Sequence, residues 1–299
     1  MPDMHKLTLY CKSFRRDLLR ASRLAQSIDR YNHDGLPFYM SVPAADVDVF
    51  RQHLTGTSVI LLSDESIIAA NPKHDIAHIN SLPGGISQQI VKSEFWRLGH
   101  SECYVCLDSD DEFLREFGEA DFIAPDGAPY TVITEGKELF EFCDCNHYPR
   151  VRHDILRECA EAQRLFERTG KAFIFGIPPL VWSGEVWRTL DKEFLEPRGI
   201  SFAQLICDYP YEIRIYGEAL LKYRSVPLWP VEPFFKAYYY ESQYFFDKKR
   251  GVGVDVLKQN YLGVVWQSNW EADHYGMQSK GLASSLVRTV KRWIRYLRV

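Results

Sequence analysis

A chain of 299 residues, 46% apolar and 25% charged, can bury one large α/β core. Its formal charge of −4 argues against bulk nucleic-acid binding, and no window offers the roughly 18 consecutive apolar residues of a membrane span. Seven cysteines, an odd number in a large chain, point away from a disulfide framework. With no basic leader and apolar stretch at its start, the expected setting is cytoplasmic with reduced thiols.

Taken in order, Lys6–Cys11 reads as a first strand, and the apolar spacing over Asp17–Tyr31 predicts a helix. Phe38–Val42 follows as a strand, Ala44–Leu54 as a short helix and Ser58–Leu62 as a third strand, entering the acidic turn Ser63-Asp64-Glu65. Such alternation is the sign of a parallel sheet with right-handed crossovers. Ile86–Leu98 is a helix carrying Gln88, Gln89 and Lys92, and it runs into the strand Cys103–Leu107. Phe122–Pro125, Tyr130–Ile133, Ala172–Gly176 and Leu262–Trp266 are further expected strands. Trp182–Phe194 and Phe202–Leu220 are expected helical, the second broken by Pro210. Residues 134–170 form a possible helical insertion, with Asp154–Arg168 its clearest part. The expected division is a catalytic domain over 1–280 and a basic amphipathic helix over 281–299.

The stretch Val105-Cys106-Leu107-Asp108-Ser109-Asp110-Asp111 carries the most chemistry. A buried strand ending in Asp-x-Asp can offer carboxylate oxygens to Mn²⁺ or Mg²⁺ just beyond the strand's carboxyl end. Asp108 and Asp110 are the expected metal ligands, with His274 as a third from far along the chain. Asp111 is left to start a helix over Glu112–Phe117 or to reach a donor sugar. Lys12, Arg15 and Arg16 follow the first strand at the same sheet edge, and Lys280 follows His274 by six residues; these cations suit phosphate oxygens. Gln88 and Lys92 are the amide and cation expected on the nucleotide side. For a carboxylate base, Glu212 is the first choice, since its aromatic-rich segment can raise a carboxyl pKa, and Asp208 is the reserve.

Cysteine spacing offers little. On a strand, an offset of three sends Cys103 and Cys106 to opposite faces, leaving Cys143, Cys145 and His147 as an incomplete zinc set. The terminal stretch says more. From Leu282 to Val299 the helical projection puts Leu282, Leu286, Val290, Trp293, Ile294 and Leu297 on one side, and five Lys or Arg with no acid on the other. Such a helix suits an anionic membrane surface.

Several segments in order resemble the GT-A glycosyltransferases, in particular a bacterial group linked to cell-surface polysaccharide such as lipopolysaccharide or capsule. They are Cys11-Lys12-Ser13-Phe14, Gly85-x-x-Gln88-Gln89-x-x-Lys92, Val105–Asp110, Pro178–Ser183 and Glu212-x-x-x-Tyr216-Gly217. His274 to Lys280 is similar to a C-terminal metal and diphosphate element, with approximate spacing. The resemblance implies a GT-A-like, Rossmann-like, mostly parallel sheet flanked by helices, and a cation bridging the diphosphate of a nucleotide-sugar donor. It also implies a saccharide or lipid-linked saccharide acceptor, with Pro178–Ser183 and Glu212–Gly217 lining the sugar side. A UDP-sugar is the expected donor, and the inner face of the cytoplasmic membrane the expected site of action. The alternatives are a sugar-phosphate nucleotidylyltransferase, disfavoured because Lys12–Arg16 lacks glycine, and a non-catalytic membrane-associated scaffold.

Overall fold

The computed structural model describes residues 4–267. His274, Lys280 and the helix expected over 281–299 lie outside the described residues. The strands are β1 (His5–Lys12), β2 (Phe38–Val42), β3 (Ile60–Ser63), β4 (Ser101–Leu107), β5 (Asp111–Phe113), β6 (Tyr130–Val132), β7 (Leu180–Ser183), β8 (Trp229–Val231), β9 (Phe235–Tyr238) and β10 (Gly263–Trp266). The first helices are α1 (Leu18–Tyr31), α2 (Val47–His53), α3 (Asp64–Ala69), α4 (Ile76–Ser81), α5 (Gly84–Glu94), α6 (Lys137–Cys145) and α7 (Pro149–Leu165). They are followed by α8 (Gly184–Leu190), the short α9 (Glu196–Arg198), α10 (Phe202–Asp208), α11 (Glu212–Tyr223), α12 (Glu241–Lys249) and α13 (Val254–Asn260).

The central sheet has the order β3-β2-β1-β4-β7. Pairings β3–β2, β2–β1 and β1–β4 are parallel, and only β7 runs antiparallel to its neighbour. This is the mostly parallel α/β sheet flanked by helices that the alternation of elements predicts. Both faces of such a sheet must be covered, so its strands carry apolar residues on both sides. On β4 the two sets separate cleanly. Tyr104 and Cys106 enter a core shared with Ile90, Trp182, Trp187 and Ile215. Cys103, Val105 and Leu107 enter the opposite one, with Leu24, Ile28 and Phe113. Cys103 and Cys106 therefore face different layers, as the offset of three requires.

A second sheet, β5-β10-β9, begins immediately after the acidic turn. β5 occupies the start of the helix expected over Glu112–Phe117. Asp111, Glu112 and Phe113 pair instead with Val265, Val264 and Gly263, a partner strand about 150 residues away. Phe113 then packs against Phe117 and Phe235 in the core. Burial of aromatic surface here outweighs local helix propensity.

Two expected strands are absent. Over Phe122–Pro125 the chain makes one isolated bridge, Ile123 to Pro129, and turns through Gly127 at φ +90°. Over Ala172–Gly176, Phe175 and Gly176 both have positive φ, 57° and 76°, which no strand tolerates. Trp182 lies on β7 rather than in the helix expected from it, which begins at Gly184. The region 134–170 is largely helical, as α6 and α7.

Gly263 marks where the second sheet is tightest. A Cβ there would lie 2.4 Å from the Glu112 carbonyl oxygen and 2.5 Å from the Phe235 ring. Backbone cannot swing aside as a side-chain tip can, so Gly263→Ala is expected to cost about 2 kcal/mol. Urea unfolding measures it; an unchanged midpoint would contradict the packing described.

Candidate functional site

The order of the parallel strands places a crevice between β1 and β4. From β1 the chain winds outward to β2 and β3, whereas β4 and β7 lie on its other side. Ligands bind beyond the carboxyl ends of strands at such a reversal. Cys11 is in register with Leu107, so Lys12 and Asp108 emerge side by side there. Ser109 Oγ donates to Ser13 Oγ at 2.9 Å, tying the two strand ends together.

The acidic segment is a closed turn. Asp111 N donates to the Asp108 carbonyl at 3.1 Å, and Asp108 N donates back to Asp111 Oδ2 at 2.9 Å. Trp266 N donates to the Asp110 carbonyl at 2.9 Å, anchoring the turn to β10. Asp110 and Asp111 are buried, whereas the Asp108 side chain is 36% exposed. Burial foremost, then the charges of Asp108 and Asp110, push the Asp111 carboxyl well above the usual carboxylate range. Among the described residues its Oδ1 has no hydrogen-bond partner.

One buried cation faces this cluster. Lys92, on the last turn of α5 and 3% exposed, donates from Nζ to Asp108 Oδ1. Burial penalises its ammonium most, but Asp108, Cys106 and Glu212 together outweigh that, and its pKa is raised. Neighbouring Cys106 is pushed up mainly by burial, so its thiol is protonated and inert.

Glu212 reaches the same edge from the N-terminus of α11. Burial is the main cause raising its carboxyl pKa; Lys92 pulls it down and Asp108 pushes it up. Its backbone N–H donates to Gln89 Oε1 at 3.2 Å. Gln89 is thus committed as a helix cap, satisfying one of the amides that a helix start leaves open.

The remaining expected residues are less central. Lys12 Nζ donates to the Ser13 carbonyl at 3.0 Å and pairs with buried Asp64 at 3.4 Å, so its charge is largely used within the fold. Arg15 is exposed, with its backbone N–H on Asp46. Gln88 is half-buried on α5. Asp208 is exposed at the end of α10, and no hydrogen bond or ion pair among the described residues joins it to the acidic turn.

Sequence reasoning passed over Asp17, Arg20 and Asp64 at this edge. Arg20 pairs with Asp17, whose carboxyl is raised chiefly by burial and also feels Asp108. Asp64 was visible only as part of an acidic turn after the third strand.

Among the described residues, no three His, Cys, Asp or Glu side chains form a ready-made metal cage, and Cys143, Cys145 and His147 make no zinc site. The donors at the acidic turn nevertheless suit a hard cation in kind. Asp108 and Asp110 bring carboxyl oxygens there, and the adjoining Asp111 carboxyl has a buried oxygen with no hydrogen-bond partner among the described residues. Mg²⁺ and similar ions keep waters and substrate phosphates and need only one or two protein carboxylates.

No curated protein matches the sequence. The structure is similar to that of mouse xyloside xylosyltransferase 1 in its apo form, with 11% identity and a TM-score of 0.48 over 88% of this chain and 98% of that one. Over residues 6–242, which span the central sheet, the acidic turn, Lys92 and Glu212, the sequence matches the family of unknown function DUF6492, and the chain belongs to that family.

Proposed function

We propose that this protein is a glycosyltransferase that takes a sugar from a nucleotide-sugar donor, with Asp108 and Asp110 holding a divalent cation. The observation that carries this reading is the acidic turn at the sheet's reversal point, where three aspartates crowd together and the buried Lys92 ammonium answers one of them, Asp108. Repulsion among them is relieved by added positive charge, and diphosphate oxygens are natural further ligands for that charge. Bound Mn²⁺ or Mg²⁺ would supply stabilisation of the negative charge developing on the departing diphosphate.

The chain's own groups have separate tasks. Lys92 orients Asp108 and balances its charge. Ser13 and Ser109 brace the crevice floor. Glu212, with its raised carboxyl, is the group to accept a proton from an acceptor hydroxyl if the anomeric centre inverts. UDP-sugar is the proposed donor, and a saccharide or lipid-linked saccharide of a bacterial surface glycan the proposed acceptor. Residues 281–299 would hold the protein on an anionic membrane at the cytoplasmic face.

Thermal-shift measurements with UDP and GDP, each with and without Mn²⁺, test the reading. Ligand binding at 100 times Kd adds about 2.7 kcal/mol, a shift of several degrees. A shift that needs both nucleotide and cation supports transfer. Absence of any shift would favour the scaffold reading.

A further inference from the structure

Beside the acidic turn lies a cleft of about 610 Å³ that the chemistry above does not use. Its position follows from strand register. Pro178 and Pro179, on one wall, lead into β7, where Leu180 faces Cys106 near the end of β4. On another wall, Ala237 pairs with Val265, which pairs with Asp111. The cleft therefore runs alongside the site, from the end of β4 to the outer strand of the second sheet. Its volume falls within the range of small-ligand pockets.

Its lining is mixed in a particular way. Tyr239 and Tyr261 contribute aromatic rings with hydroxyls, Glu138 adds a carboxylate, and Gln243, whose Oε1 accepts from Tyr240 N at 3.1 Å, contributes its amide N–H groups. The Tyr239 hydroxyl is pushed to about 12 by burial and then by Glu138; Tyr261 is raised by burial and by Glu138 among other acids. Both tyrosines thus stay neutral donors near one carboxylate. Glu135, Glu138 and Glu232 line the cleft against Lys137 and Lys236. Lys236 is held 3.8 Å from Asp247, outside the lining, and Glu135 is shared by Lys137 at 3.7 Å and by Lys171, also outside the lining, at 2.9 Å. Among the described residues no ion pair answers Glu138 or Glu232, so the uncompensated charge on the lining is acidic. Aromatic faces beside neutral and acidic acceptors suit a ligand dense in hydroxyl groups, whose flat C–H surfaces cover the rings while its O–H groups donate. A phosphate or uronate would meet carboxylates.

We propose that this cleft is the acceptor subsite and takes an uncharged saccharide, an assignment that rests on the transferase reading. The test is saturation-transfer NMR on the full chain with UDP and Mn²⁺ present. The probes are p-nitrophenyl glycosides of neutral hexoses and pentoses, and p-nitrophenyl glucuronide. At least one neutral glycoside is expected to bind, more tightly than the glucuronide, and to weaken fivefold or more in both Glu138→Ala and Tyr261→Phe, exposed or conservative changes. UDP binding should be the same in both variants. Neutral glycosides that fail to bind, bind both variants as tightly as the parent, or lose to the glucuronide would overturn the subsite. If UDP binds while they fail, the transferase reading survives without this cleft. If they bind as expected while no nucleotide does, the cleft stands as a saccharide site and the transferase reading falls.

Discussion

Replacing Asp108 or Asp110 by Asn is expected to lower sugar transfer on the order of 100-fold and to abolish the Mn²⁺-dependent shift with UDP. Asn keeps the shape and one carbonyl oxygen, so Lys92 still finds an acceptor at position 108 and the turn remains closed through backbone groups. The charge is what disappears. An oxygen donor without charge holds a hard cation weakly against water. Melting temperatures close to the parent's would show that the fold survives. Full activity in either variant would remove the metal assignment, because the carboxylate charge on which a hard cation depends could then not be essential at that position.

The second large effect separates the two members of the buried pair. Asp108→Leu leaves the Lys92 ammonium almost wholly buried with its nearest counter-charge gone, and is expected to cost about 3 kcal/mol. In a chain of this size that lowers the melting temperature by roughly 5 °C. Lys92→Met is expected to cost about 1 kcal/mol or less, since the Asp108 side chain is 36% exposed and can turn to water. Urea unfolding of both variants in EDTA at neutral pH measures the asymmetry. The pH dependence supplies a second signature. In the parent, Asp108 is the main group raising Lys92 against the larger effect of burial. Without Asp108, burial dominates and the folded-state pKa drops below the unfolded value near 10.4. The unfolded chain then binds more protons between the two values, so the stability of Asp108→Leu rises with pH across that window. Equal losses in the two variants, or a penalty for Asp108→Leu that grows with pH, would contradict the arrangement.

Much of the central sheet was legible because its signals are local. β1, β2 and β4 are short apolar runs, each stopped within a residue or two by a polar or breaking group: Ser13, Pro43 and Asp108. The helical spacing of Leu18, Leu24, Ala25 and Ile28 placed α1 with equal directness. Where a non-local partner or an unusual dihedral decides, local signals fail. Asp111–Phe113 has a helix-compatible composition and became a strand because β10 arrives beside it. Ala172–Gly176 has a strand's composition, yet Phe175 and Gly176 turn left-handed.

The same division holds at the site. From the sequence alone came the Asp-x-Asp at a strand end, the cation at position 92, the acid at 212 and the separation of Cys103 from Cys106. These follow from residue type and from the two-residue period of a strand. Only the tertiary structure decided that Lys92 is spent on Asp108, that Gln89 caps α11, and that Lys12 answers Asp64. It also decided that Asp111 belongs to a strand edge and buries an oxygen that has no hydrogen-bond partner among the described residues. Those outcomes depend on which charges and amides meet once the layers close around the β1–β4 crevice. In a low-dielectric interior, such meetings and not residue type set each group's partner and pKa.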